Sequence, residues 1–361
     1  MAPHVTEMNL QGWGDPAAAT PLPPAARDLV ELAFGIHEQP RPAPQPLPAP
    51  GLSADLVAGL VDLLGEEHVR TDDETRRLRA GGKSTPDLLR ARSDDFSAAP
   101  DAVVRPADHD EVAAVIDFAV THHLALVPFG GGTSVSGGLA ARREGYAGLV
   151  CLDLVRMKRL LALDPVSMTA TLEPGLRGPE AETLLAAQGL TLGHYPQSYE
   201  FATIGGFAAT RSSGQASAGY GRFDALVMGL RVATPRGEWV LGVAPATAAG
   251  PDLRQLVLGS EGAFGVITAV TVRVRAAPAE KIYEGWQWPT FTAGVAAART
   301  LAQAGLLPSV IRLSDEAETG LNLARPDRVG AGGAGGCLMI VGFEGEAGVV
   351  AARRVAVTAV L

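Results

Sequence analysis

Apolar and polar positions along this chain repeat with two different periods, and the changes of period mark its elements. Residues 1–50 are rich in Pro and Ala and read as an extended arm with one short helix around Ala25–Gly35. Ser53 is a candidate N-cap, and Leu56, Leu60, Leu63 and Leu64 after it mark one helical face. Residues 71–96 (TDDETRRLRAGGKSTPDLLRARSDDF) are dense in charge and read as a solvated surface segment. From Ala102 the pattern alternates strand and helix. Ala102–Arg105 is a short strand, and His109–His122 a helix with Val112, Val115, Ile116 and Ala119 on one side. Leu124–Pro128, Gly148–Leu152 and Met168–Leu172 are predicted strands, and Gly178–Gln188 a helix stopped near Gly189. Ala225–Thr234 and Glu238–Leu241 form a predicted hairpin about Pro235-Arg236-Gly237. Pro251–Leu258 reads as a short helix, and Gly265–Arg275 alternates like a strand.

After Pro278 the texture changes. Tyr283–Trp288 is aromatic, Phe291–Ala304 is a helix with Val295, Ala298 and Leu301 inward, and Ser309–Leu313 is strand-like. Ala331–Gly336 is a loop, Cys337–Phe343 an apolar strand, and Ala347–Leu361 a helix that stops while still apolar (VAVTAVL). A helix ending that way, without a C-cap, suggests an unfinished second domain. The expected division is an N-terminal arm with helices over 1–96, a main domain over 97–278 and an incomplete domain over 279–361, in an α+β alternation of short elements.

A length of 361 residues supports that division, because single cores stop growing at roughly 250–300 residues. With 47% hydrophobic and 19% charged residues, the chain is not disordered. Its 30 Lys+Arg against 39 Asp+Glu give a net charge of −9, which argues against nucleic-acid or anionic-membrane binding. Cys151 and Cys337 can neither staple a fold of this size nor build a zinc site, and no metal site is expected. No run of 18 apolar residues predicts a membrane span, and MAPHVTEMNLQGWGDP shows no secretory pattern, so the cytoplasm is the expected compartment.

Candidate chemistry lies in four glycine-bearing stretches. The first, Pro128-Phe129-Gly130-Gly131-Gly132-Thr133-Ser134-Val135-Ser136-Gly137-Gly138, leaves a strand without opening a long helix, unlike the dinucleotide fingerprint. Its consecutive glycines let backbone N–H groups point into one concavity, a nest that holds an anion without a basic side chain. The alternative reading is a flexible glycine-rich loop. The others are Gly193–Gly206 (GHYPQSYEFATIGG), Thr210-Arg211-Ser212-Ser213-Gly214, and Leu258–Thr268 (LGSEGAFGVIT). A long ligand lying across several loop ends would account for all four.

With VATPRG, this set, in its order and spacing, resembles the FAD-binding (PCMH-type) domain of the vanillyl-alcohol-oxidase-type flavoproteins. Within that superfamily it is similar to the alkyldihydroxyacetonephosphate synthase (alkylglycerone-phosphate synthase) family, over roughly residues 100–343. Gly12-Trp13-Gly14 and Ile311-Arg312-Leu313 resemble the same branch. The fold so implied is a two-subdomain PCMH-type FAD-binding domain followed by a partial α/β cap domain.

The resemblance also implies a site. Pro128, Phe129, Gly130, Gly131, Gly132, Thr133 and Ser134 would wrap the FAD pyrophosphate. Gln197, Ser198, Tyr199, Glu200, Phe201, Ala202 and Thr203, with Thr210, Arg211, Ser212 and Ser213, would line the isoalloxazine and ribityl side. Glu261, Gly262, Ala263, Phe264, Gly265, Val266 and Ile267 would meet the adenosine half. Some relatives carry a flavin-linked His on the glycine loop. Here Gly132-Thr133-Ser134 stands there, so FAD is expected to be non-covalent.

Beside these implied roles stand plainer ones. His194 reads as a packed structural histidine, and Glu261 as an N–H acceptor shaping its loop. His122 and His123 lack metal-ligand spacing, Arg236 belongs to a tight turn, and Trp286 and Trp288 read as cap packing. Arg211, between Thr210 and Ser212, favours a flavin or phosphate contact over an ordinary surface role. The family's substrate-phosphate arginine, acid/base tyrosine and His-rich segment come later than Leu361, so no catalytic residue is assigned. The implied activity is exchange of acyl for alkyl on acyl-dihydroxyacetone phosphate, in ether-lipid formation, without net electron transfer. A D-2-hydroxy-acid dehydrogenase and a non-catalytic flavin-binding module are the alternatives. A small-molecule or lipid-like substrate and a homodimer are the expected partners.

Overall fold

The computed structural model describes residues 6–35, 46–242, 244, 247–322 and 336–361. Residues 36–45 of the Pro-rich arm and 331–335 of the AGGAGG loop lie outside the described residues. Its first sheet runs in the order β1 (Val69–Arg70), β2 (Ala102–Val104), β4 (Gly148–Asp153), β3 (Leu124–Phe129). Strands β2, β4 and β3 are parallel, so a crossover must join β2 to β3. The helix His109–Thr121 supplies it, capped by Asp108, whose side chain accepts from the Asp110 and Glu111 N–H groups. Val112, Val115, Ile116 and Ala119 are buried, as their spacing requires. Strand β4 is buried throughout, with Cys151 almost wholly enclosed.

The second sheet is antiparallel, in the order β5 (Leu160–Asp164), β6 (Thr169–Leu172), β10 (Val266–Arg273), β8 (Val227–Thr234), β9 (Gly237–Leu241). The β8–β9 hairpin closes where Thr234 pairs with Gly237. Strand β8 starts later than its sequence suggests, because Phe223–Leu226 forms a helical turn that buries Phe223 and Leu226. The predicted strand over Gly265–Arg275 divides into β10 and β11 (Arg275–Ala276), which pairs with β7 (Leu190–Thr191). The helices Gly178–Ala186 and Ile204–Ala209 supply Leu185, Ile204 and Phe207 to the same core as Leu172 and Val270.

The C-terminal part is a three-stranded antiparallel sheet, β12 (Glu280–Trp288), β14 (Cys337–Gly345), β13 (Val310–Leu313). Its own core gathers Leu301, Met339, Val341, Phe343 and Val357, with Trp286 and Trp288 packed against it. Helices Phe291–Gln303 and Ala347–Thr358 provide Leu301 and Val357. Cys337 is wholly buried. Two inward assignments fail: Val295 is 43% exposed while Ala297 is buried, and Leu63 is exposed while Leu60 and Leu64 are buried. The rest of each expected face holds, with Leu60, Leu64 and Leu301 buried.

The charged stretch 71–96 is the largest correction. It folds into helices Asp73–Leu78 and Thr85–Arg92 that bury one side, with Arg76, Arg79, Lys83, Ser84 and Asp87 buried, while Asp73, Glu74, Leu89 and Arg92 stay exposed. Arg76 is fully buried, donating from Nε to the Pro100 carbonyl at 2.7 Å and from Nη2 to the Pro48 carbonyl at 2.6 Å. Buried Arg79 pairs with wholly buried Asp153 at 3.0 Å and with Glu7 at 2.8 Å. Such charges remain buried only when paired and hydrogen-bonded.

Candidate functional site

The last residue of β3 delivers the chain into the glycine loop, where β3 and β4 end together. Three further segments reach the same place: Pro196–Thr203 before the helix Ile204–Ala209, the turn after that helix, and the approach to β10. They enclose a groove of about 760 Å³, within the range of roughly 300–1,000 Å³ usual for ligand sites. Pro128 to Ser134 line it, with Gln197, Ser198, Ala202 and Thr203, Thr210, Ser212 and Ser213, and Glu261, Gly262, Gly265, Val266 and Ile267.

The glycine loop has a distinct electrical character. Among the described residues, no protein group accepts from the backbone N–H of Gly131, Gly132, Thr133 or Ser134. No Lys or Arg side chain lines the groove either. A bound anion would therefore be met by oriented main-chain donors. At Gly131 a side chain is excluded, since an added Cβ would overlap the Phe201 carbonyl. Gly132 adopts φ +68°, a left-handed conformation that glycine enters at no steric cost. Thr203 caps the next helix, its Oγ1 accepting from the Gly206 N–H at 3.3 Å. Glu261, itself at φ +52°, accepts from the Ser136 hydroxyl at 2.7 Å. Its carboxylate thus ties two loops together through a hydroxyl, where sequence suggested an N–H donor.

Six residues expected at the site stand elsewhere. Arg211, at φ +49°, donates to the carbonyls of Leu258 and Gln255 and pairs with Asp224 at 3.0 Å, away from the groove. Tyr199 packs near the Tyr195 ring, with centroids 5.2 Å apart. Phe201 is buried, with the Arg177 guanidinium 5.4 Å from its ring centroid. Glu200, Ala263 and Phe264 are exposed and do not line the groove. Groove-lining residues outside the expected set include Trp13, Leu139, Leu154, Pro196 and Phe207. Gly205, Gly206 and Ser260 also line it, within the quoted motifs. Pro196, Val135, Ser136 and Gly138 lie in the quoted motifs too, and Trp13 in the Gly12-Trp13-Gly14 segment, which the tertiary fold brings to the groove from more than a hundred residues away.

The acid/base content of the groove is sparse. His194 is 2% exposed, and burial lowers its pKa to about 4, so it is neutral at pH 7. Its Nε2 lies 3.0 Å from Ser212 Oγ, and its ring packs on Phe207 and Phe223, the packed role expected of it. Among the described residues, Glu261 is the one carboxylate on the groove. Behind the glycine loop sits a second, small cavity of about 60 Å³ lined by Glu7, Arg79, Lys83, Asp153 and Arg177. Burial lowers the Lys83 pKa to about 8. Burial opposes the charge on Arg79 too, but Asp153 and Glu7 outweigh it and raise its pKa.

The free N–H nest, the loop a side chain would block and the long four-walled groove fit a flavin dinucleotide. Comparison with known proteins agrees. Residues 100–241 match the FAD binding domain model, and residues 277–361 the C-terminal domain model of FAD linked oxidases. A solved structure of an alkyldihydroxyacetonephosphate synthase superposes with a TM-score of 0.86 at 30% identity, covering 98% of this chain and 73% of that one. The chain belongs to the PCMH-type FAD-binding flavoproteins. Among curated members of this flavoprotein family, it is 37% identical to the Trypanosoma brucei brucei alkyldihydroxyacetonephosphate synthase, covering 77% of this chain and 45% of that protein. It is 32% identical to the mitochondrial D-lactate dehydrogenase (cytochrome) of Arabidopsis thaliana, over 73% of this chain and 44% of that protein. The chain spans about half the length of the curated relatives it matches. Among the described residues, no helix is long and apolar enough to cross a membrane.

Proposed function

We propose that this chain binds FAD non-covalently in the four-loop groove and serves an alkyldihydroxyacetonephosphate synthase-type reaction, exchanging acyl for alkyl on a lipid-like ketone phosphate. The observation that carries the reading is the convergence of the four loops on one groove whose glycine loop presents unpartnered N–H groups. In this reading Gly131 to Ser134 hold the pyrophosphate, Thr203, Ser212 and Ser213 face the flavin side, and Gly262 to Ile267 face the adenosine half. Bound there, the flavin supplies the electron-accepting ring, while the chain supplies position and a low-dielectric wall. The purified protein should be yellow, and acid precipitation should leave the colour in the supernatant as FAD. Colourless protein that takes up no added FAD would overturn the reading, and colour retained by the precipitate would overturn non-covalent attachment.

The similarity to a D-lactate dehydrogenase over the same part of the chain supports a second reading, oxidation of a D-2-hydroxy acid. The two separate cleanly. Anaerobic bleaching of the flavin by D-2-hydroxy acids favours the dehydrogenase, whereas incorporation of a labelled long-chain alcohol without bleaching favours the synthase.

A further inference from the structure

The segment from Thr6 to Gly14 has no regular secondary structure, yet it is tied down along its length. The Arg177 guanidinium donates to the Thr6 carbonyl at 2.9 Å, and Arg79 grips the Glu7 carboxylate with two donors. The Lys83 ammonium donates to the carbonyls of Asn9 and Leu10, and Arg92 to that of Gln11 at 3.0 Å. A turn then closes as the Asn9 N–H reaches the Gly14 carbonyl at 2.8 Å. This turn presents Trp13, which lines the flavin groove and is 49% exposed. The anchoring lysine is also joined to the glycine loop, its backbone N–H donating to the Ser134 carbonyl at 2.6 Å.

We infer that residues 6–14 form a strap closing one wall of the dinucleotide groove, with Trp13 bearing on a planar ring of the bound FAD. This rests on the flavin-binding reading above. A half-exposed indole on a firmly anchored turn has apolar surface that a ring in the groove would cover. Four cations are spent on holding the strap, three of them on its backbone carbonyls, so the turn meets the ligand already fixed in place. Such preorganisation lowers the ordering cost of binding.

FAD release from the purified holoprotein tests the inference directly. Trp13→Ala should raise the dissociation constant roughly tenfold or more, the scale of ring-on-aromatic stacking. Trp13→Phe should retain most of the affinity. Lys83→Met, which frees the carbonyls of Asn9 and Leu10, should loosen FAD in the same direction. Chymotrypsin should cut after Trp13 faster once FAD is removed. If wild type holds FAD but Trp13→Ala holds it equally well, and cleavage is the same with and without FAD, the strap is overturned while flavin binding stands. If wild type holds no FAD, the flavin reading itself falls.

Discussion

The glycine loop and the half-buried charged segment 71–96 lie back to back, joined where the Lys83 N–H meets the Ser134 carbonyl, and they treat charge in opposite ways. Among the described residues, none accepts from the N–H groups of residues 131–134, and the loop carries no ionised side chain. The segment carries Arg76, Arg79 and Lys83 into the interior and gives each of them acceptors. An anion in the groove would thus meet neutral dipoles, with the cations held one layer behind and already engaged. That separation would let an acidic protein grip a pyrophosphate without placing a competing ion pair in the groove.

The paired layer should break hardest. Arg79→Ala leaves Asp153 buried and without its main partner, a loss of about 3–5 kcal/mol that urea unfolding would measure. Next comes His194. An unfolded histidine titrates near 6.5, and the folded one near 4, so between these values the unfolded chain binds more protons. Stability is therefore complete above pH 6.5 and falls as pH drops toward 4, by up to about 3 kcal/mol. His194→Gln should flatten that part of the profile. In the loop, Gly131→Ala forces a methyl against the Phe201 carbonyl, an overpacking cost of roughly 1–3 kcal/mol. It should appear as FAD affinity weakened about ten- to a hundredfold. The smallest effect is the control. Arg231 and Glu238 pair on the exposed face of the β8–β9 hairpin, and Arg231→Ala should cost less than about 1 kcal/mol. If Arg79→Ala costs no more than that, the contrast between buried and exposed pairs is wrong for this protein.

The sequence made the two regions unequally legible for a physical reason. Glycine in succession is a statement about local backbone, so Gly130–Gly132 pointed to a nest before any tertiary contact was known. The same holds for the helix between β2 and β3. An arginine's letter says nothing about its partner. Arg79 meets Glu7 and Asp153 across 72 and 74 residues, and a charge-dense stretch looks alike whether water or buried carboxylates answer it. Arg211 misled in the same way, because its left-handed backbone directs the side chain to Leu258 and Gln255. Strands β1, β7 and β11, two residues each, are too short to show a period.

The two cysteines divide between the FAD-binding part and the cap, and burial raises the pKa of each thiol. Neither is reactive while its sheet stays closed, since the thiolate is the nucleophile. A thiol-directed dye would therefore clock the opening of each half separately, with Cys151 reporting on the sheet beneath the glycine loop and Cys337 on the cap. The molecule carries its own pair of stopwatches, with no label to engineer.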